Sequence, residues 1–147
     1  MKTIINGLNI NYIDEGTGPL LVMLHGWGSN IELFKGVIDF SKAKYHVVAM
    51  DMPGFGKSDE PKEAMNVDDY VDFVLAFIKE LYPQEKEIIF LGHSMGGRII
   101  IKLTSGIHDG RIKADFTVPK IILTDAAGVK PVKSASQNKR TKRYKFY

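Results

Sequence analysis

The chain has no cysteine in its 147 residues. That excludes a disulfide framework, a cysteine-based zinc site and a thiol nucleophile. Long apolar runs are missing too. Runs such as Leu20 to Leu24 and Ile88 to Leu91 fall far short of the roughly 20 residues that a membrane-spanning helix needs. The N-terminal stretch MKTIINGLNINYIDEG lacks the basic-then-apolar pattern of a secretory signal, and a cytoplasmic location is the expectation. No internal repeat is present. Acidic residues stop at Asp125, whereas seven of the 20 basic residues follow it: Lys130, Lys133, Lys139, Arg140, Lys142, Arg143 and Lys145. The net charge of +3 therefore divides into a mildly acidic body and a strongly basic tail. Histidine stops earlier still, at His108.

What is present suits one globular domain. Apolar residues make up 44% and charged residues 25%, and the length suffices for a real core. Asn6-Gly7 between two alternating runs predicts a tight hairpin, since both residue types tolerate positive φ. PLLVMLHG, YHVVAMD, EIIFLG and KIILTDAAG are apolar segments of the kind buried on both faces of a parallel sheet. ELFKGVIDFSK predicts a short helix weakened by Gly36. NVDDYVDFVLAFIKELY predicts a longer one, capped by Asn66, with Asp68 and Asp69 at its positive end and one apolar face. SMGGRIIIKLTSG predicts a third. Strands alternating with helices predict an α/β fold with a mostly parallel sheet.

Gly92-His93-Ser94-Met95-Gly96 matches G-x-S-x-G. The motif means little without a strand before it and a helix after it, and here both are predicted. Such a turn forces Ser94 into strained backbone geometry and presents its hydroxyl at the C-terminal edge of the sheet. The Met95 N–H then lies at a helix N-terminus, where it can stabilise an oxyanion. The alternative is a serine that merely caps the helix.

Taken in order, LHGWGSN, MDMPGFGKSD, LGHSMGG and ILTDAAGVKP resemble the oxyanion loop, the loop after the fourth strand, the nucleophile elbow and the sixth strand of the α/β-hydrolases. The resemblance is to the small serine esterase, lipase and epoxide-hydrolase group and covers about residues 2–131. It implies an α/β-hydrolase-like, mostly parallel sheet with flanking helices, truncated after about strand six. Residues 1–129 would be the N-terminal part of the core. Residues 130–147 would be a basic tail that begins a cap segment, so that the sequence stops inside its lid.

By the same resemblance, Ser94 is the nucleophile and the Trp27 and Met95 N–H groups form the oxyanion hole. His25 and Gly26 shape the loop, although HGWG also reads as an ordinary glycine turn. Phe34, Phe55 and Met95 line an apolar entrance for a hydrophobic ester-like substrate. Asp125 is a candidate acid at the end of strand six. Asp51 either orients the Pro53-to-Gly56 loop or, the preferred reading, is a structural turn residue. No metal and no cofactor are implied.

The family places its histidine after its serine. Only His108 follows Ser94, and it falls at the far end of the helix after the elbow. His93 diverges from its neighbour, His46 is at the wrong end of its strand, and His25 braces a loop. The resemblance thus implies a serine-type hydrolase, forming an acyl-enzyme, that is incomplete and inactive as this chain because the base is missing. A non-catalytic, hydrolase-like binding protein is the alternative. An exposed sixth strand predicts self-association through the sheet edge. The tail's cations, interleaved with Tyr144, Phe146 and Tyr147, raise nucleic acid or an anionic membrane as a partner, but a charge run alone is only compositional, and a solvated lid segment explains it better.

Overall fold

The structure is a computed structural model that describes residues 1–125. The expected core boundary at 129 and the basic tail at 130–147 lie outside the described residues. Six strands form one sheet in the order β1-β2-β4-β3-β5-β6: β1 (Lys2–Ile5), β2 (Leu8–Glu15), β3 (Leu20–Leu24), β4 (His46–Met50), β5 (Ile88–His93) and β6 (Ile121–Thr124). β1 and β2 form the hairpin read from Asn6-Gly7, with both turn residues at positive φ (51° and 80°) and Ile5 opposite Leu8. β2 also pairs antiparallel with β4, and all remaining pairs are parallel.

Three helices, α1 (Lys35–Ser41), α2 (Val67–Leu81) and α3 (Met95–His108), link the parallel strands. A 3-10 turn over Ile31–Phe34 leads into α1. Right-handed crossovers explain which face each helix covers. The step from β3 to β4 runs one way along the sheet, and the steps to β5 and β6 run the other way. α1 therefore sits alone on one face, while α2 and α3 share the opposite face.

Strand alternation feeds both cores. Leu20, Val22, Leu24, Val48, Met50, Ile88 and Phe90 pack with Val74, Phe77, Ile99, Ile100 and Leu103 of α2 and α3. Leu21, Met23, Val47, Ala49 and Leu91 pack with Ile31, Phe34 and Ile38. Local signals set the ends of α2: the Asn66 side chain accepts from the Asp69 N–H, and the Asp69 carboxylate accepts from the Asn66 N–H. That reciprocal cap satisfies two of the helix's orphan donors. Among the described residues, no helix is long and apolar enough to cross a membrane.

Candidate active site

Register brings the candidate residues to one edge. Leu24 lies opposite Met50 and Gly92, and Gly92 lies opposite Leu123. The next residue of each strand or loop is His25, Asp51, His93 or Thr124. Gly26, Ser94 and Asp125 come one step further. The sequence reading placed these residues tens of positions apart, and the parallel sheet aligns them.

Ser94 adopts φ 54° and ψ −116° at the junction of β5 and α3. This is left-handed backbone, which costs a non-glycine residue about 1–3 kcal/mol and persists only where surrounding contacts enforce it. Here they do. The Ser94 N–H donates to Thr124 O at 3.1 Å, and Ser94 O accepts from the Gly97 N–H at 3.0 Å. Glycine makes the turn sterically feasible. A Cβ on Gly96 would lie 2.0 Å from Leu24 O, and one on Gly92 would lie 2.6 Å from Gly97 N. The Ser94 hydroxyl makes no capping hydrogen bond to α3, so the helix-cap alternative fails.

The loop after β3 passes close over Ser94. A Cβ on Gly26 would stand 2.9 Å from Ser94 Cβ and 3.4 Å from Ser94 Oγ. The N–H groups of Trp27 and Met95 have no hydrogen-bond acceptor among the described residues. The second of these is the first amide of α3, where the helix dipole favours negative charge.

His25 is fully buried. Its Nε2 accepts from the Met52 N–H at 2.9 Å, which leaves the proton on Nδ1, donated to Gly26 O at 2.7 Å. Burial lowers its pKa below 6.5, opposed by the Gly26 hydrogen bond and the Asp51 charge. Both ring nitrogens are committed to backbone groups, so His25 braces the loop after β3 and offers no free nitrogen to Ser94.

The other histidines are also engaged or remote. His93 Nδ1 meets Thr124 Oγ1 at 3.0 Å. His46 Nε2 meets Asp14 Oδ1 at 2.8 Å, beside Tyr82, at the opposite end of the sheet. His108 is exposed at the last residue of α3, about 20 Å from Ser94 by the helical rise. Asp125, at φ 45°, is exposed immediately after β6 on the edge that carries Ser94.

Asp51 is more than a turn residue. Its buried carboxylate accepts from the Ile31 N–H at 2.8 Å, the Lys57 N–H at 2.9 Å and Asn11 Nδ2 at 3.0 Å. It thus ties the loop after β3 to the loop after β4. Gly56 is required beside it, since a Cβ there would overlap the carboxylate.

The entrance reading needs one correction. Phe34 is 4% exposed and belongs to the core on the α1 face. The 3-10 turn lines it up with Ile31, three residues earlier, and turns both onto the sheet. Phe55 and Met95 are half-buried against the other core. Phe55 stands edge-on between His25 (5.5 Å) and Trp27 (5.0 Å). Sequence reasoning missed Tyr70, which reads as an ordinary apolar-face residue. Its hydroxyl donates to Pro53 O at 3.0 Å and anchors the loop after β4. Among the described residues, no group of three or more His, Asp or Glu side chains is placed to hold a metal.

A family model described as alpha/beta hydrolase fold matches residues 19–119. The chain belongs to that family. It is 31% identical over 94 residues to the 2-(acetamidomethylene)succinate hydrolase of Mesorhizobium japonicum, a match covering 64% of this chain and 33% of that protein. It is 33% identical over 107 residues to the pimeloyl-[acyl-carrier protein] methyl ester esterase of Aeromonas hydrophila, covering 70% of this chain and 38% of that protein. Among solved structures, a bacterial membrane phospholipase A superposes with a TM-score of 0.77 at 26% identity, covering 97% of this chain and 44% of that one. The chain spans about a third of the length of the curated relatives it matches.

Proposed function

We propose that this chain carries the nucleophile and oxyanion half of a serine-type hydrolase acting on a carboxylic ester or a related carbonyl compound. The observation that carries the reading is Ser94. It is held at φ 54°, ψ −116° between β5 and α3, without a side-chain cap bond, close to Gly26 and beside two amides that have no acceptor among the described residues. Names of relatives support the same reaction class, one being a methyl ester esterase and another a hydrolase of a succinate derivative.

The chemistry follows from the geometry. Ser94 Oγ attacks the substrate carbonyl carbon while its proton passes to a base. The developing oxyanion accepts hydrogen bonds from the Trp27 and Met95 N–H groups. Collapse expels the alcohol, which takes a proton from the same base, and leaves an acyl-serine for water to hydrolyse. The base is a histidine supplied from outside these 147 residues, since all four of the chain's own are engaged or remote. That engagement favours a second reading for the chain by itself: a hydrolase-like protein that binds without turnover.

Covalent labelling separates the two. In a comparable serine enzyme, loss of the histidine costs about 2 × 10⁶ in turnover. The 147-residue chain is therefore expected to show negligible hydrolysis of p-nitrophenyl esters and little labelling of Ser94 by a fluorophosphonate. Fused to a relative's C-terminal segment carrying an acid and a histidine, it is expected to gain several orders of magnitude in turnover. Ser94→Ala should abolish that gain. A folded fusion with no Ser94-dependent turnover would leave the binding reading standing.

A further inference from the structure

The segment that runs from the 3-10 turn through α1 is apolar on both sides. Ile31, Phe34 and Ile38 are buried against the sheet, whereas Leu33, Val37 and Phe40 are 46%, 41% and 87% exposed. The exposed three recur at i, i+4 and i+7, and Gly36 at i+3 completes the pattern of a seam by which one helix packs on another. Apolar residues scattered singly over a surface need no explanation. These three fall within one short stretch, on a helix that sits alone on its face of the sheet. Gly36 points to the same conclusion. A Cβ there would meet nothing within 4 Å, so the chain's own packing does not call for glycine. In mid-helix glycine costs about 0.5–1 kcal/mol against alanine. Its use lies on the outside, where a missing side chain lets a second backbone approach closely.

Charge decides what covers the seam. Glu32, Lys35, Asp39 and Lys42 follow one another along one flank of it at helical spacing. Antiparallel pairing with a second copy, about a two-fold axis between Gly36 and Val37, sets Leu33 opposite the partner's Phe40 and Gly36 opposite the partner's Val37. The two-fold maps the charged flank onto itself in reverse order. Glu32 then falls near the partner's Lys42, and Lys35 near the partner's Asp39. The order acid, base, acid, base makes the flank complementary to its own copy. A parallel pair would set each charge beside its own kind. Within the chain, among the described residues, Glu32 and Lys35 have no ion-pair partner, and Lys42 meets Asp39 at 3.4 Å with both side chains exposed.

We propose that the outer face of the segment Ile31 to Ser41 is a self-recognition surface, on which two copies of this chain pair antiparallel, α1 against α1. The turn and helix together make a seam about 17 Å long. One short helix on each side buries less than the ~1,200 Å² of a stable dimer, so the pair forms and dissociates with concentration. The proposal is independent of the serine-hydrolase reading, since neither Ser94 nor its loops take part.

The chain has no cysteine, so a single introduced thiol reads the geometry directly. The test uses the 147-residue chain with Ile122→Lys, which removes pairing through the β6 edge. Val37→Cys stands next to the axis, displaced from its copy by only about 1.5 Å along the helices. It should form an interchain disulfide readily on mild oxidation. Leu33→Cys is displaced from its copy by about 10 Å in the same direction, more than the roughly 7 Å between Cα atoms that a disulfide spans. Alone it should crosslink at least about tenfold more slowly than Val37→Cys, and it should crosslink readily when mixed with Phe40→Cys.

Sedimentation gives the second readout. Phe40→Glu should raise the dimer's Kd by about tenfold or more with an unchanged circular dichroism spectrum. Lys35→Glu, which sets two acids against each other across the axis, should also weaken pairing, and adding Asp39→Lys should restore it. Equal crosslinking at positions 33 and 37 would mean random collision or a parallel pair. A single monomeric species at every concentration would mean that the face has no partner of its own kind. A dimer lost on fusion to a relative's C-terminal segment would mean that a longer chain covers the face itself. Any of the three overturns the proposal.

Discussion

Gly26 leaves room for Ser94: a methyl group on Gly26 would approach Ser94 Cβ to 2.9 Å. Real Cβ atoms do not tolerate that distance, so a Gly26→Ala chain must displace either the serine or the loop after β3. A displacement approaching 1 Å at a reacting centre costs about 10²-fold in rate. In the fusion that carries an acid and a histidine, Gly26→Ala is expected to slow fluorophosphonate labelling of Ser94 by about that factor. An unchanged labelling rate would mean that the loop and the elbow do not form one site.

Two glycines in helices make opposite predictions for stability. Gly96 in α3 has Leu24 O where its Cβ would be, at 2.0 Å, and backbone cannot swing aside as a side chain can. Gly36 in α1 has open space around the same position. Gly96→Ala should destabilise the chain by about 1–3 kcal/mol or more, as overpacking does. Gly36→Ala should stabilise it by about 0.5–1 kcal/mol through reduced backbone entropy in the unfolded state. Urea unfolding of both variants at one pH measures the difference. Equal effects would contradict the close packing of the elbow against β3.

How legible was this site before folding? The hairpin at Asn6-Gly7, the cap at Asn66 and the elbow at Ser94 were readable because each is specified within a few residues. Phe34 was misread because the resemblance put it at an apolar entrance, whereas the 3-10 turn over Ile31–Phe34 turns it with Ile31 onto the sheet. The work of Asp51 was invisible for a different reason. Asn11 lies 40 positions away and Ile31 lies 20 away, so only the folded sheet, antiparallel from β2 to β4 and parallel from β3 to β4, brings their donors to one carboxylate. Tyr70 hid its hydroxyl's partner behind an unremarkable helical spacing.

His25 gives a pH dependence whose sign is fixed. Burial lowers its folded pKa below the ordinary 6.5, so the unfolded chain binds the proton more readily. Stability from this residue is fully present above about pH 6.5 and is lost as pH falls below it toward the folded value, by up to about 1.4 kcal/mol per pH unit. Protonation would also remove the acceptor that holds the Met52 N–H. Denaturant unfolding between pH 7.5 and 5 should show this slope in the parent chain. In His25→Asn the slope should be reduced, at lower absolute stability. Parallel pH profiles for the two chains would rule out a buried neutral His25 as the cause.

β6 is the outermost strand among the described residues, only four residues long, with Ile121 and Ile122 38% and 39% exposed. Ile122 lies opposite Leu91 and so projects on the α1 side. That face also carries Phe40, 87% exposed on α1. An edge strand with half-exposed apolar residues and no outer partner among the described residues invites a second chain to extend the sheet. The 147-residue chain is therefore expected to self-associate as its concentration rises, in sedimentation velocity runs across the micromolar range. Ile122→Lys should shift it toward monomer at a cost in stability within about 0.5 kcal/mol, as befits a half-exposed edge position. Phe40→Glu should do the same only if the α1 face joins the contact, which separates edge pairing from face packing. A single monomeric species at every concentration would show that this edge, open as it is, does not recruit a partner strand.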